Sequence, residues 1–256
     1  MGRQLTGWAL DLDGVIWRGT ETVPGSPGAV ARLRDAGIPI AFVTNSALRT
    51  PRQVAAKLES HGIPDAESEV ISAAMAAGRM VGAGDRILVI GGDGVLAAMR
   101  DAGAEIVDDG PVDAVVMGID QRFDYEAMTR AMRAIDAGAR FIATNTDSTF
   151  PAADGMVPGN GALVASVATA TGRAPEVAGK PHEPIADLVR ARLGDDGLMI
   201  GDRPDTDGLF ATTVGYQFGL VLSGVTANAD LPVEPNPDYT ADDLAGMVDL
   251  VLGRAS

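Results

Sequence analysis

The chain has 256 residues, 46% of them hydrophobic, which is enough to bury a sizeable core and too apolar for a disordered chain. A formal net charge of -15 repels nucleic acid and anionic membrane, so neither is expected as a partner, although local donors and a cation can still reverse the potential inside one pocket and bind a small anion. Cysteine is absent, which excludes a disulfide framework, a thiolate metal site and a cysteine nucleophile. The stretch Met1 to Trp8 holds one Arg and no long apolar run, so it reads as neither signal peptide nor anchor. Nowhere do about 18 apolar residues run without a charge, and a soluble cytoplasmic chain is expected.

Short apolar runs alternate with longer amphipathic stretches, a rhythm that predicts α/β units built on parallel strands. The first strand, Trp8–Leu12, delivers Asp11 and Asp13, two carboxylates two positions apart on one side of an extended chain, with Gly14 following for a turn. Like charges this close need a cation between them or a shared proton. Oxygen donors, with no Cys and little His, suggest Mg2+. The second strand, Pro39–Val43, ends in Thr44, Asn45 and Ser46, hydroxyl and amide donors suited to phosphate oxygens. Next, Thr50-Pro51-Arg52-Gln53 makes a capping box with proline at the first helical position, and the helix should run to His61 before Gly62 and Pro64 stop it.

Strands are then expected at Ile87–Ile90, Ala114–Met117 and Arg140–Ala143, with a helix capped by Asp124 and ending near Gly138. Gly179-Lys180-Pro181 offers a lysine between residues that fix the backbone, a point charge able to hold phosphate and carboxylate together. The strand Gly197–Ile200 opens into Asp202-Arg203-Pro204-Asp205-Thr206-Asp207, and Gln217–Leu222 closes the series. In open parallel sheets ligands collect where strands end, so acids placed there carry more weight than acids elsewhere. Each piece alone is ordinary, an Asp-x-Asp pair being usually a solvated turn. Their joint occurrence at strand ends is not.

Gly84-Asp85-Arg86 repeats Gly201-Asp202-Arg203 but precedes its strand, so Asp85 reads as a turn residue. Asp93 follows Ile87–Ile90 and is expected to cap the next helix. Lys180 is not a phosphate-loop lysine, because Pro181 stands where Ser or Thr is needed. His61 and His182 read as structural. No Pro/Ser linker marks a boundary, but the chemistry lies before about Ser46 and after about Gly179, which leaves the middle third as an inserted module.

Taken in order, Asp11-Leu12-Asp13-Gly14-Val15, Phe42-Val43-Thr44-Asn45, Lys180, and Gly201-Asp202-Arg203-Pro204-Asp205-Thr206-Asp207 resemble the four motifs of the haloacid dehalogenase superfamily. The large insertion between the second and third motifs is similar to its subfamily IIA, the NagD-like and nitrophenyl-phosphatase-like enzymes. Gly118-Ile119-Asp120, Phe141-Ile142-Ala143-Thr144-Asn145-Thr146-Asp147, Gly159-Asn160-Gly161-Ala162 and Val221-Leu222-Ser223-Gly224-Val225-Thr226 extend the likeness over nearly the whole chain.

The resemblance implies a Rossmann-like core of residues 1–76 and 175–256, carrying a parallel sheet, and a smaller inserted α/β cap domain of residues 77–174. It implies an Mg2+-dependent phosphatase acting on small phosphomonoesters such as nucleotide, sugar, glycerol or aryl phosphates. Asp11 would form an aspartyl-phosphate and Asp13 serve as acid and base. Thr44 and Lys180 would hold phosphoryl oxygens, with Asn45 and Asp147 also on the substrate. Asp11, the main-chain carbonyl of Asp13 and Asp202 would hold the metal, with Asp207 acting through water. The cap loop Thr144–Phe150 would face the leaving group, and a homodimer through the cap is common among the resembling proteins. A mutase or phosphotransferase using the same intermediate, and an inactive phosphate-binding protein, stay open; a dehalogenase is disfavoured because Asp13 is present.

Overall fold

The structure, a computed structural model, describes residues 6–152 and 155–253, so residues 1–5, which carry part of the leader reading, lie outside it. The chain forms two compact units, one from residues 1–44, 54–71 and 180–256, the other from residues 45–53 and 72–179.

The first unit is built on a six-stranded sheet in the order Tyr239–Ala241, Gln217–Val221, Gly197–Gly201, Gly7–Leu10, Ile40–Thr44, Val70–Ser72. Gly7–Leu10 pairs in parallel with Gly197–Gly201 on one side and Ile40–Thr44 on the other, with Leu10 opposite both Ile200 and Phe42. All four residues of Gly7–Leu10 are buried, the condition that makes a central parallel strand read as a continuous apolar run. Trp8, Leu10, Phe42, Leu198 and Ile200 meet Leu33, Leu58, Leu244 and Met247 of the helices in one core. The chain adds strands outward on one side of Gly7–Leu10 and later returns to add strands on the other. A crevice at the carboxyl ends therefore opens between oppositely running connections, the place where such sheets bind ligands.

The second unit has a five-stranded sheet in the order Glu176–Val177, Arg140–Ala143, Ala114–Met117, Arg86–Ile90, Glu105–Ile106, and a separate antiparallel hairpin of Thr149–Ala152 with Gly155–Pro158. Its core joins Ile90, Val115, Met117 and Phe141 to Ala131, Ile135, Val164 and Val167.

Local signals in the sequence take the form they predict. Thr50 Oγ1 accepts from Gln53 N at 3.2 Å while Gln53 Oε1 accepts from Thr50 N at 2.9 Å, and the helix runs Pro51–Ser60. Asp124 caps Tyr125–Asp136 by accepting from Ala127 N at 2.8 Å. Asp85 accepts from Gly82 N at 2.7 Å in a turn. Asp93 is a correction: Gly92 holds the cap position of Asp93–Asp101, and the Asp93 carboxylate accepts from Gln53 Nε2 at 3.3 Å instead. Strand ends also move slightly, the first strand stopping at Leu10 rather than Leu12 because the chain turns there, Ile16 N and Trp17 N both reaching back to the Leu12 carbonyl. Among the described residues no helix is long and apolar enough to cross a membrane.

Candidate active site

Three neighbouring strands of the first unit end at the same edge, and each ends in a residue singled out from the sequence. Asp11 follows Gly7–Leu10 directly, its N–H donating to the Ile200 carbonyl at 2.8 Å. Thr44 is the last residue of Ile40–Thr44 and is 3% exposed. Asp202 follows Gly197–Gly201, and Asp207 sits in the single turn Pro204–Gly208 beyond it.

Lys180 joins these strand ends. Its buried ammonium donates to Asp11 Oδ1 at 2.5 Å, to Asp207 Oδ1 at 2.7 Å and to the Val43 carbonyl at 3.2 Å. A buried ammonium has three protons to place, and these three oxygens are among its acceptors. Burial alone would lower its pKa, but the charges of Asp11 and Asp207 outweigh that and raise it above the usual lysine value, so Lys180 stays a cation.

Asp202 is held at both its carboxylate and its main-chain carbonyl, and the neighbouring Gly14 is held as well. Val225 N donates to its Oδ2 at 2.6 Å, Thr226 Oγ1 donates to its carbonyl at 2.6 Å, and Ser223 Oγ binds the Gly14 carbonyl at 2.6 Å. Two glycines make the approach possible: a Cβ on Gly14, whose φ is +85°, would lie 2.4 Å from Asp202 Oδ2, and one on Gly224 would lie 1.9 Å from it. Ser223, Thr226 and these glycines support the site, yet nothing local in the sequence marks them apart from their place after an apolar strand.

Oxygens of Asp11, Asp202 and Asp207 all lie within 4.8 Å of one another. Burial, followed by the charge of Asp207, pushes the Asp202 carboxyl up to about 7, and burial likewise pushes Asp11 well above the ordinary carboxylate range. Three carboxylates around one ammonium leave surplus negative charge, which the cluster relieves by keeping a proton or by taking a cation. A cluster made of hard oxygens and free of sulfur or imidazole suits Mg2+.

This arrangement sets a pH dependence with a definite sign. Between about 3.8 and about 7 the folded protein holds more protons at Asp202 than the unfolded chain does. Unfolding free energy therefore falls as pH rises through that window. Thermal melts in chelator should show this loss, and Asp202→Asn should flatten the curve relative to the parent; identical pH profiles would contradict it.

Asp13, next along the loop, is exposed, and its Oδ1 accepts from Trp17 Nε1 at 2.9 Å. His61 is 9% exposed, with Nδ1 2.7 Å from Thr22 Oγ1, and burial together with Lys57 keeps its pKa below the usual value. His182 occupies the cap position of Glu183–Leu193 and makes no side-chain cap bond. Asn45 and Asp147 come together in the second unit, Asn45 Nδ2 lying 3.3 and 3.2 Å from the two Asp147 carboxylate oxygens, while Asn145 Nδ2 donates to the Asn45 carbonyl at 2.7 Å.

A family model described as haloacid dehalogenase-like hydrolase matches residues 8–105, and a second, HAD-hydrolase-like model matches residues 177–247. The chain belongs to the haloacid dehalogenase-like hydrolases. It is 35% identical over 245 residues to the acid sugar phosphatase of Staphylococcus haemolyticus, covering 93% of each chain. Among solved structures it is similar to a p-nitrophenyl phosphatase from Archaeoglobus fulgidus, with TM-score 0.91 and 33% identity, covering 97% of this chain and 100% of that one. It is also similar to the glycerol phosphate phosphatase Rv1692 of Mycobacterium tuberculosis in complex with magnesium, with TM-score 0.88 and 34% identity, covering 95% of this chain and 76% of that one.

Proposed function

We propose that this chain is an Mg2+-dependent phosphatase that hydrolyses small phosphomonoesters through an aspartyl-phosphate on Asp11. The observation that carries the reading is the Lys180 ammonium held between Asp11 and Asp207, with Asp202 beside them, at the carboxyl edge of three adjacent parallel strands. The relatives, named for sugar, nitrophenyl and glycerol phosphates, support the same chemistry and leave the ester class broad.

Asp11 attacks phosphorus, forming a carboxylate O–P bond as the P–O bond to the alcohol breaks and its electron pair stays on the departing oxygen. Asp13 gives that oxygen a proton, and the alcohol leaves. Water then attacks the same phosphorus while Asp13 takes its proton back; the bond to Asp11 breaks and inorganic phosphate is released. Splitting one displacement into two lowers each barrier. Thr44 and Lys180 hold phosphoryl oxygens, and Lys180 also fixes the Asp11 carboxylate in place for attack. Asp11, the Asp13 carbonyl and Asp202 would hold the metal, with Asp207 acting through water. Bound there, Mg2+ supplies positive charge against the phosphoryl oxygens, where transition-state stabilisation is largest.

Residues 77–174 form the cap in this reading and choose the ester, with Asn45 and Asp147 directed to the substrate. A homodimer forms through the same residues, where Tyr125, 79% exposed, lies with Met128, Met132 and Ala170 in a depression rimmed also by Thr129 and Arg133; light scattering tests it. The acidic, cysteine-free chain is placed in the cytoplasm.

Phosphate release from a panel of esters tests the reaction. Turnover should vanish in chelator and return with Mg2+, while Ca2+, which prefers more and looser oxygen ligands, should bind without supporting turnover. The fold should survive chelation, because a chain of this size has a core without a metal staple. Full turnover after exhaustive stripping, or transfer to a second alcohol with no phosphate released, would overturn the proposal.

A further inference from the structure

Asp13 is the one exposed carboxylate of the group, and an exposed side chain has several rotamers to choose from. A general acid must instead hold one geometry, within hydrogen-bond reach of the oxygen that departs. The structure supplies a fixed donor for it. Trp17 is 3% exposed, and its Nε1–H donates to Asp13 Oδ1 at 2.9 Å. The backbone between the two residues is wound tightly enough to fix the pair: Gly14 N donates to the Trp17 carbonyl at 2.7 Å, and Asp13 and Trp17 form an isolated bridge.

The indole itself packs against a ring and an ammonium. The His61 ring stacks on it with centroids 5.0 Å apart and planes 29° apart, and His61 is anchored by Thr22 Oγ1 at 2.7 Å. Thr22 lies on the short strand Glu21–Thr22 that pairs with Trp17–Arg18, Trp17 standing opposite Thr22. Lys57 Nζ sits 3.8 Å from the centroid of the indole. A cation over the ring draws electron density toward itself and so strengthens the N–H as a donor.

We infer that Trp17 is a positioning residue for proton transfer: clamped by His61 and Lys57, its indole N–H occupies Asp13 Oδ1 and orients Oδ2 to carry the proton to the leaving group. This rests on the reading of Asp13 as the acid. In the step concerned, the P–O bond to the alcohol breaks, the electron pair stays on the oxygen, and the proton moves from Asp13 Oδ2 to that oxygen while Asp11 forms its bond to phosphorus. Trp17 touches none of the reacting atoms. Its loss should hurt in proportion to how badly the departing oxygen needs a proton.

The test is therefore a leaving-group series, from p-nitrophenyl phosphate, whose phenolate departs unaided, through phenyl phosphate to an alkyl phosphate. Trp17→Phe keeps a ring for His61 and Lys57 but removes the N–H. It should lose about tenfold or more in kcat/KM on the alkyl ester and less than about threefold on p-nitrophenyl phosphate, since general acid catalysis contributes on the order of a hundredfold or more in full. Should the phenylalanine variant fold poorly, β-(3-benzothienyl)alanine at position 17 alone keeps the indole shape with sulfur in place of N–H, and the same pattern is expected. Equal loss on every ester, or no loss on any, would overturn the inference. Asp13→Asn run beside it separates the two assignments: turnover lost in that variant with Trp17 variants unaffected refutes only the role of Trp17, whereas full alkyl-ester turnover in Asp13→Asn refutes the acid itself and the inference with it.

Discussion

Asp11→Asn should abolish phosphate release while raising, not lowering, thermal stability in chelator. The amide is nearly isosteric but cannot attack phosphorus, and losing the nucleophile together with a metal ligand should cost at least about 5 kcal/mol of barrier, each 1.36 kcal/mol being about tenfold in rate. The stability claim follows from charge. Asp11 is pushed upward first by burial, and the carboxylates of Asp207, Asp202 and Asp13 add to that against the single opposing charge of Lys180. Removing one member relieves repulsion that a cation would otherwise relieve. Mg2+ should accordingly stabilise the parent and much less so the variant, because binding to the native state adds stability only to the extent of its affinity. Phosphate assays and melts with and without Mg2+ check both parts; a tenth of parental turnover would remove the covalent mechanism.

Lys180→Met should give the opposite stability result. The substitution leaves Asp11 and Asp207 buried with their cation gone, and breaking a buried pair in this way costs about 3–5 kcal/mol. Lys180 has its pKa raised by Asp11 and Asp207 over the opposing effect of burial, so its contribution is present throughout the neutral range and is lost only at strongly alkaline pH. The variant should be most deficient near pH 8 and recover part of its stability toward pH 5, because Asp11, already raised, takes up a proton when the ammonium is absent. Urea melts at both pH values in chelator measure this, and turnover should fall by about a hundredfold or more with the loss of a fixed charge on the phosphoryl group. A variant as stable as the parent at pH 8 would mean that Lys180 does not balance the two acids.

The sequence carries the sheet strands that bear the chemistry, because a central parallel strand must be apolar on both faces and then stop at a polar residue. Gly197–Gly201 and Arg140–Ala143 show this within a residue of their apolar runs. Val70–Ser72 and Tyr239–Ala241 do not show it: three residues at the two edges of the sheet have no run long enough to stand out from neighbouring helices and turns. The acids were visible by position, whereas their supports were not. Asp202 depends on Gly224, Val225 and Thr226, more than twenty residues on, and Asp13 on a tryptophan that packs against His61 and Lys57 at a helix end. Such links belong to tertiary contact and leave no periodic trace. The passage between the two units was hidden for a related reason. The chain crosses four times, and two of the crossings, at Thr44–Asn45 and Gly179–Lys180, fall inside the motifs themselves, where no change of composition marks them.

The central strand Gly7–Leu10 takes its partner from the far end of the chain, Gly7 facing Gly197, and Lys180 reaches back across 169 residues to Asp11. Closing so long a loop costs entropy that is recovered only when the distant strand docks, and contacts of this separation form slowly. Asp11 therefore joins Lys180 and Asp207 only once the strand that begins at Gly197 has docked beside Gly7–Leu10. A fragment that ends before the strand at 197 lacks Asp207, and so can hold neither the lysine-bridged acids nor the turn that follows that strand.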